Sequence, residues 1–197
     1  MQKNIKLGVF GGSFDPPHKA HLELVRSAVV ELNLDHVLVT VANDPWQKSA
    51  SRKITDGSHR LEMTRLLFCD YSDATVTDIE FEIGGESNTA GTLRALRSMY
   101  QSAEFFLLLG YDTAIGIETW RDPDSILAQS KVVVVERPGF TDIKLPSVLS
   151  SAIHLQGINL NMSSETIRSR LKNEENISGA IPDDIRNYIA EHGLYRE

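Results

Sequence analysis

The sequence predicts an α/β protein: a doubly wound parallel sheet with helices on both faces, followed by a C-terminal helical segment. Three observations predict it. Apolar, β-branched runs alternate with amphipathic stretches, the first such run ends in paired glycines, and the last two amphipathic stretches follow the final apolar run. Strands that are apolar throughout, rather than on alternate residues, are buried on both faces, as in parallel sheets covered by helices.

Taken in order, Ile5–Phe10 reads as a buried strand, His21–Leu34 as a helix and His36–Val41 as a second strand. A loop containing Pro45, Ser49, Ser51 and Gly57 precedes a helix over about His59–Phe68. Ala74–Ile83 alternates polar and apolar residues and predicts one or two strands. Gly84–Ser87 is a turn, and Thr89–Tyr100 a helix. Phe105–Gly110 and Val132–Glu136 are again apolar strands. Ser164–Lys172 and Asp183–His192 read as helices, the second opened by Pro182. There is no internal repeat, low-complexity tract or linker, so residues 1–197 are expected to form a single domain.

Composition narrows the function classes. The 197 residues are 41% hydrophobic and 24% charged, an ordinary globular mixture, with a formal net charge of −7. Such a charge disfavours long nucleic acid, which is bound mainly through phosphate neutralisation. A small phosphorylated ligand needs only a few local cations and amides. No apolar run approaches the roughly 20 residues of a membrane helix, and no signal-like segment opens the chain. Cys69 is the sole cysteine, which fits a reducing, cytoplasmic setting. Oligomeric state is left open.

Chemistry concentrates at Gly11-Gly12-Ser13-Phe14-Asp15-Pro16-Pro17-His18-Lys19-Ala20-His21. Glycines at the carboxyl end of a strand let a ligand approach the backbone. The following helix aims free N–H groups and a partial positive charge at the same spot. His18 and His21, three residues apart, share one face of its first turn and can donate to phosphate oxygens as charge builds in a transition state. A plain strand-to-helix turn with surface histidines is the structural alternative. The coincidence of glycines, an Asp-Pro break and paired histidines favours a ligand site.

These residues resemble the leading motif of the nucleotidyltransferase superfamily, which implies a Rossmann-like fold. The resemblance implies that His18 and His21 contact ATP phosphates, with Gly11, Gly12, Ser13 and Phe14 lining the nucleotide. Ala20 departs from the usual His-x-Gly-His.

A second constellation, Met162-Ser163-Ser164-Glu165-Thr166-Ile167-Arg168, opens a late helix that Ser163 or Ser164 can cap. Arg168 lies where it can grip a phosphate beside the free amides. On its own this is ordinary capping. It is similar to the Ile-Ser-Ser-Thr-x-Ile-Arg motif that holds outer phosphates in pyridine-nucleotide adenylyltransferases, with Met162 and Glu165 as departures.

Weaker matches follow in order. Gly110-Tyr111-Asp112 ends a strand, where Asp112 suits a ribose hydroxyl, a magnesium-linked contact or a helix cap. Asp44-Pro45-Trp46-Gln47-Lys48, His59-Arg60-x-x-Met63, Trp120, Arg137-Pro138-Gly139 and the ending from Pro182 to Tyr195 also match. From Gly8 to Tyr195 the chain most resembles bacterial nicotinate-mononucleotide adenylyltransferases. That resemblance implies AMP transfer from ATP to nicotinate mononucleotide, giving deamido-NAD and pyrophosphate. His18, His21 and Arg168 would be catalytic. Gly110, Asp112, Ser163 and Ser164 would join the ATP site, and Asp15, Lys48, Thr89, Trp120 and Arg137 would surround the acceptor. Magnesium would accompany ATP, held mostly by phosphates and water. Where that family has Tyr-Thr-x-x-Thr-Leu, this chain has Asn88-Thr89-Ala90-Gly91-Thr92-Leu93. A nicotinamide-mononucleotide or phosphopantetheine adenylyltransferase, a class I aminoacyl-tRNA synthetase (which would need a far longer chain) and an inactive nucleotide sensor are the alternatives.

Overall fold

The computed structural model describes residues 4–46, 52–136, 144–156 and 162–196. Six strands form one parallel sheet: β1 (Lys6–Gly12), β2 (His36–Val41), β3 (Ala74–Thr77), β4 (Glu104–Gly110), β5 (Lys131–Val135) and β6 (Ile153–Leu155). Their order is β3-β2-β1-β4-β5-β6, the doubly wound arrangement. β1 pairs with β2 on one side and with β4 on the other, so the winding reverses between β1 and β4.

The four inner strands, β1, β2, β4 and β5, each feed two cores. Phe10, Val37, Val39, Val41, Phe106, Leu108, Val133 and Val135 face one side. There they meet α1 (Lys19–Leu32), α2 (Gly57–Phe68), α7 (Ser164–Lys172) and α8 (Asp183–Glu191). Leu7, Val9, Leu38, Phe105, Leu107, Leu109, Val132 and Val134 face the other side, against α4 (Thr89–Met99) and α6 (Pro123–Gln129). This double burial is why the strands carry no polar alternation. The expected architecture, helices on both faces and a C-terminal helical segment, is present.

Element ends differ in instructive ways. β1 runs on through both glycines to Gly12. α1 starts two residues before His21 because His18, in extended conformation, accepts the amide of His21 and acts as its N-cap. The expectation of strand throughout Ala74–Ile83 is corrected: β3 stops at Thr77, and α3 (Ile79–Ile83) follows. Period-two alternation would bury Ile79, Phe81 and Ile83 and expose Glu80. Instead the Asp78 carbonyl takes the amides of Phe81 and Glu82, Glu80 is buried, and Ile83 is 52% exposed. β6, three residues long, α5 (Tyr111–Ala114) and α6 gave no clear periodic signal, although Pro123 opens α6 at a position proline favours.

Candidate active site

A cleft of about 760 Å³ opens at the carboxyl ends of β1 and β4, where the winding reverses. Open α/β sheets bind ligands at such a switch point, because connections leave the two strands in opposite directions. The first constellation forms one wall: Gly11, Gly12, Ser13, Phe14, His18 and His21 all border the cleft. A Cβ on Gly12 would lie 3.1 Å from the Phe14 ring, so a side chain there would crowd the wall. Phe14 itself has φ 47°, a conformation that costs a bulky residue energy and turns the chain sharply toward α1. It is buried, edge-on to Phe10 and His21.

The His18 amide donates to His21 Nδ1 at 3.1 Å. With Nδ1 accepting, the neutral His21 ring carries its proton on Nε2, which makes Nε2–H a hydrogen-bond donor. The two rings stack with centroids 3.7 Å apart. Ala20 is buried in the same wall, in place of the more usual glycine.

The start of α7 supplies a second wall. Ser163, not Ser164, caps the helix, accepting the amide of Thr166 at 3.1 Å. Ser164 donates instead to the Pro16 carbonyl at 2.9 Å, and Arg168 Nη1 to the Asp15 carbonyl at 2.6 Å. Two helix N-termini from opposite ends of the chain are thereby tied together beside one cleft. Glu165 is exposed at the rim.

Asp15 is placed differently from the expected acceptor contact. Its side chain is fully buried behind the wall, outside the cleft lining. Arg52 donates to one carboxylate oxygen and Tyr195 Oη to the other, at 2.8 Å for the tyrosine. Burial alone would raise the Asp15 pKa; hydrogen bonds from Thr55, Arg52 and Tyr195 outweigh it and hold the group below the usual carboxylate range. Tyr195 is shifted upward, by burial first and by the Asp15 charge second. Arg168 is shifted downward by burial and by the nearby charge of Arg52.

The remaining expected residues divide. Gly110 caps α5, and Asp112, in its first turn, is exposed and borders the cleft. Thr89 and the half-buried Trp120 also line the cleft; Trp120 packs against the second core as well. Asn88, where relatives of the resembled family carry an aromatic residue, caps α4 by accepting the amides of Ala90 and Gly91. Lys48 and Arg137 lie outside the described residues.

Sequence reasoning missed Arg60, Arg52, Tyr195 and Glu80. Arg60 is 1% exposed and donates to the carbonyls of Thr55, Ser13, Ala42 and Asn43 at 2.7–3.0 Å. It clamps the turn after β1 to the turn after β2, and burial lowers its pKa. Its place in the His59-Arg60-x-x-Met63 match was the available signal. Arg52 borders the cleft with no motif to mark it. Among the described residues, no three His, Cys, Asp or Glu side chains are grouped to hold a metal.

The cytidylyltransferase-like family profile matches residues 9–179. A Gemmatimonas aurantiaca protein named "Probable nicotinate-nucleotide adenylyltransferase" is 36% identical, over 98% of this chain and 93% of its own length. An Albidiferax ferrireducens protein of the same name is 34% identical, over 97% of this chain and 98% of its own. Among solved structures, Plasmodium falciparum nicotinic acid mononucleotide adenylyltransferase complexed with NaAD superposes with a TM-score of 0.80 at 22% identity, over 98% of both chains. The same enzyme complexed with APC gives 0.75 at 21% identity, over 98% of both chains.

Proposed function

The chain belongs to the cytidylyltransferase-like family, among the nicotinate-nucleotide adenylyltransferases, and on that premise we propose how its cleft works. The protein is a nucleotidyltransferase that moves AMP from ATP to nicotinate mononucleotide, forming deamido-NAD and pyrophosphate on the route to NAD. A phosphate oxygen of the acceptor attacks the α-phosphorus of ATP in line. One O–P bond forms, the bond from the α-phosphorus to the bridging oxygen breaks, and pyrophosphate carries away the electron pair.

The observation that carries this reading is the pairing of the two helix N-termini at the switch point. α1 brings His18 and His21, α7 brings Ser163 and Arg168, and Ser164 joins them through the Pro16 carbonyl. Helix N-termini and cations suit a polyphosphate, and catalysis needs only position and charge stabilisation. His21 Nε2–H, with its tautomer held by the His18 amide, would donate to the α-phosphate as its charge redistributes. Arg168 would hold the outer phosphates. Gly11, Gly12, Ser13, Phe14, Gly110 and Asp112 would seat the nucleotide; Thr89 and Trp120 would meet the pyridine ring. Lys48 and Arg137 are proposed for the acceptor phosphate on resemblance alone.

Magnesium is read as part of the substrate, entering on the triphosphate. The acidic groups bordering the cleft, Glu80, Asp112 and Glu165, do not cluster with further ligands among the described residues, so phosphates and water would hold the ion. We place the reaction in the cytoplasm, carried by the whole chain as one domain. Incubation with ATP, magnesium and nicotinate mononucleotide tests the reading: mass spectrometry should find deamido-NAD, and its absence would refute the assignment.

A further inference from the structure

At the border of the cleft sits a carboxylate that the phosphate chemistry leaves unused. Glu80, the second residue of α3, is 8% exposed yet borders the cleft. Its Oε1 accepts from Thr92 Oγ1 at 3.0 Å, while Oε2 is buried with no hydrogen-bond partner among the described residues. Ser87 Oγ, in the turn that leads to α4, also borders the cleft, buried and without a partner. Buried polar atoms are almost always satisfied, and an orphaned one costs folding free energy. Two of them bordering the same cleft indicate partners that a ligand supplies.

We propose that Glu80 and Ser87 form the subsite for the ribose hydroxyls of the acceptor mononucleotide. This assignment rests on the adenylyl-transfer reading. An ionised carboxylate can only accept hydrogen bonds. The acceptor phosphate and the nicotinate carboxylate are themselves anionic acceptors, and Glu80 would repel both. The ribose hydroxyls are the donors that nicotinate mononucleotide offers. One hydroxyl donates to Glu80 Oε2 in a charge-assisted bond, and its neighbour exchanges a bond with Ser87 Oγ, which can both donate and accept. The Thr92 bond fixes the Glu80 side chain.

Ser87→Ala and Glu80→Gln test this in the full-length enzyme, with nicotinate and nicotinamide mononucleotides as acceptors. Ser87→Ala deletes an atom that makes no bond in the free protein, so its melting temperature should hold or rise while acceptor KM rises several-fold. Glu80→Gln keeps volume and reach to Thr92 but loses the charge. Acceptor KM should rise about tenfold for both mononucleotides equally, with KM for ATP unchanged. A rise confined to nicotinamide mononucleotide would mean that Glu80 reads the amide group, and would overturn the ribose assignment. Unchanged acceptor KM in both variants would overturn the subsite altogether, as would equal rises in the KM values for acceptor and ATP. If the unsubstituted enzyme transfers no AMP to either mononucleotide, the reaction reading fails first and separately.

Discussion

The Arg168 guanidinium donates to the Asp15 carbonyl at 2.6 Å and so fastens the first turns of α7 to the turn after β1. The bond sets a cation beside the His18–His21 wall, its pKa lowered by burial first and by the Arg52 charge second. Arg168 would therefore meet the triphosphate already oriented, at little entropic cost.

Arg168→Ala should weaken ATP far more than AMP, because ATP alone carries the outer phosphates that Arg168 is proposed to hold. A charge-assisted contact of this kind contributes about 1.5–3 kcal/mol, a loss of roughly tenfold to a hundredfold in affinity. Calorimetric titration of both nucleotides decides it. Equal weakening would assign Arg168 a purely structural part in holding Asp15.

Removal of the His21 donor should act on the reaction more than on binding. His21→Ala should lower kcat by about 10²–10³-fold, the scale for one lost transition-state donor, with a smaller change in ATP affinity. Steady-state kinetics on a variant with unchanged circular dichroism gives the answer, and undiminished turnover would remove His21 from the chemistry.

How legible was all this in the sequence? The four inner strands were readable because each is buried on both faces, and the His18 and Ser163 constellations because spacing places them at helix starts. The residues that hold those constellations in place were not. Arg60 sits on a helix face where arginine is normally solvated, and its four carbonyl partners come from three separate loops. Asp15 stands inside the motif yet turns away from the cleft, because Tyr195, far along the chain, reaches it from behind. Ala74–Ile83 misled because its alternation is real, yet Glu80 is buried beside Ile79 while Ile83 is exposed.

The Asp15 cluster makes a pH prediction. Its folded-state pKa is lowered, so its stabilisation is fully present above the unfolded value of about 3.9 and is lost as pH falls through the lower folded value. Asp15→Asn should cost roughly 3 kcal/mol at pH 7, the scale for breaking a buried pair. Urea unfolding of both proteins at pH 7, 5 and 3 should show the difference shrinking only below about pH 4. A constant difference down to pH 3 would mean that the charge contributes nothing.

Arg60→Lys should be far from conservative. A lysine ammonium has three donors at one point and cannot span the Thr55, Ser13, Ala42 and Asn43 carbonyls, which leaves buried acceptors unmatched. A loss of roughly 3 kcal/mol, or about 6–12 °C in Tm, is expected by calorimetry. An unchanged Tm would mean that the clamp is dispensable.

Acceptor choice is the decisive test of adenylyl transfer to a pyridine mononucleotide. Pyrophosphate release from ATP and magnesium should be followed with nicotinate mononucleotide, nicotinamide mononucleotide and phosphopantetheine in parallel, and kcat/KM compared. Asn88 caps α4 through the amides of Ala90 and Gly91 and so fixes the backbone at Thr89. Trp120 also lines the cleft. Each polar group left unpaired by the wrong acceptor costs about 1–3 kcal/mol, so nicotinate mononucleotide should lead the amide by roughly tenfold to a hundredfold. Phosphopantetheine should give no release above background. Preferential release with phosphopantetheine, or none with either pyridine mononucleotide, would contradict the account.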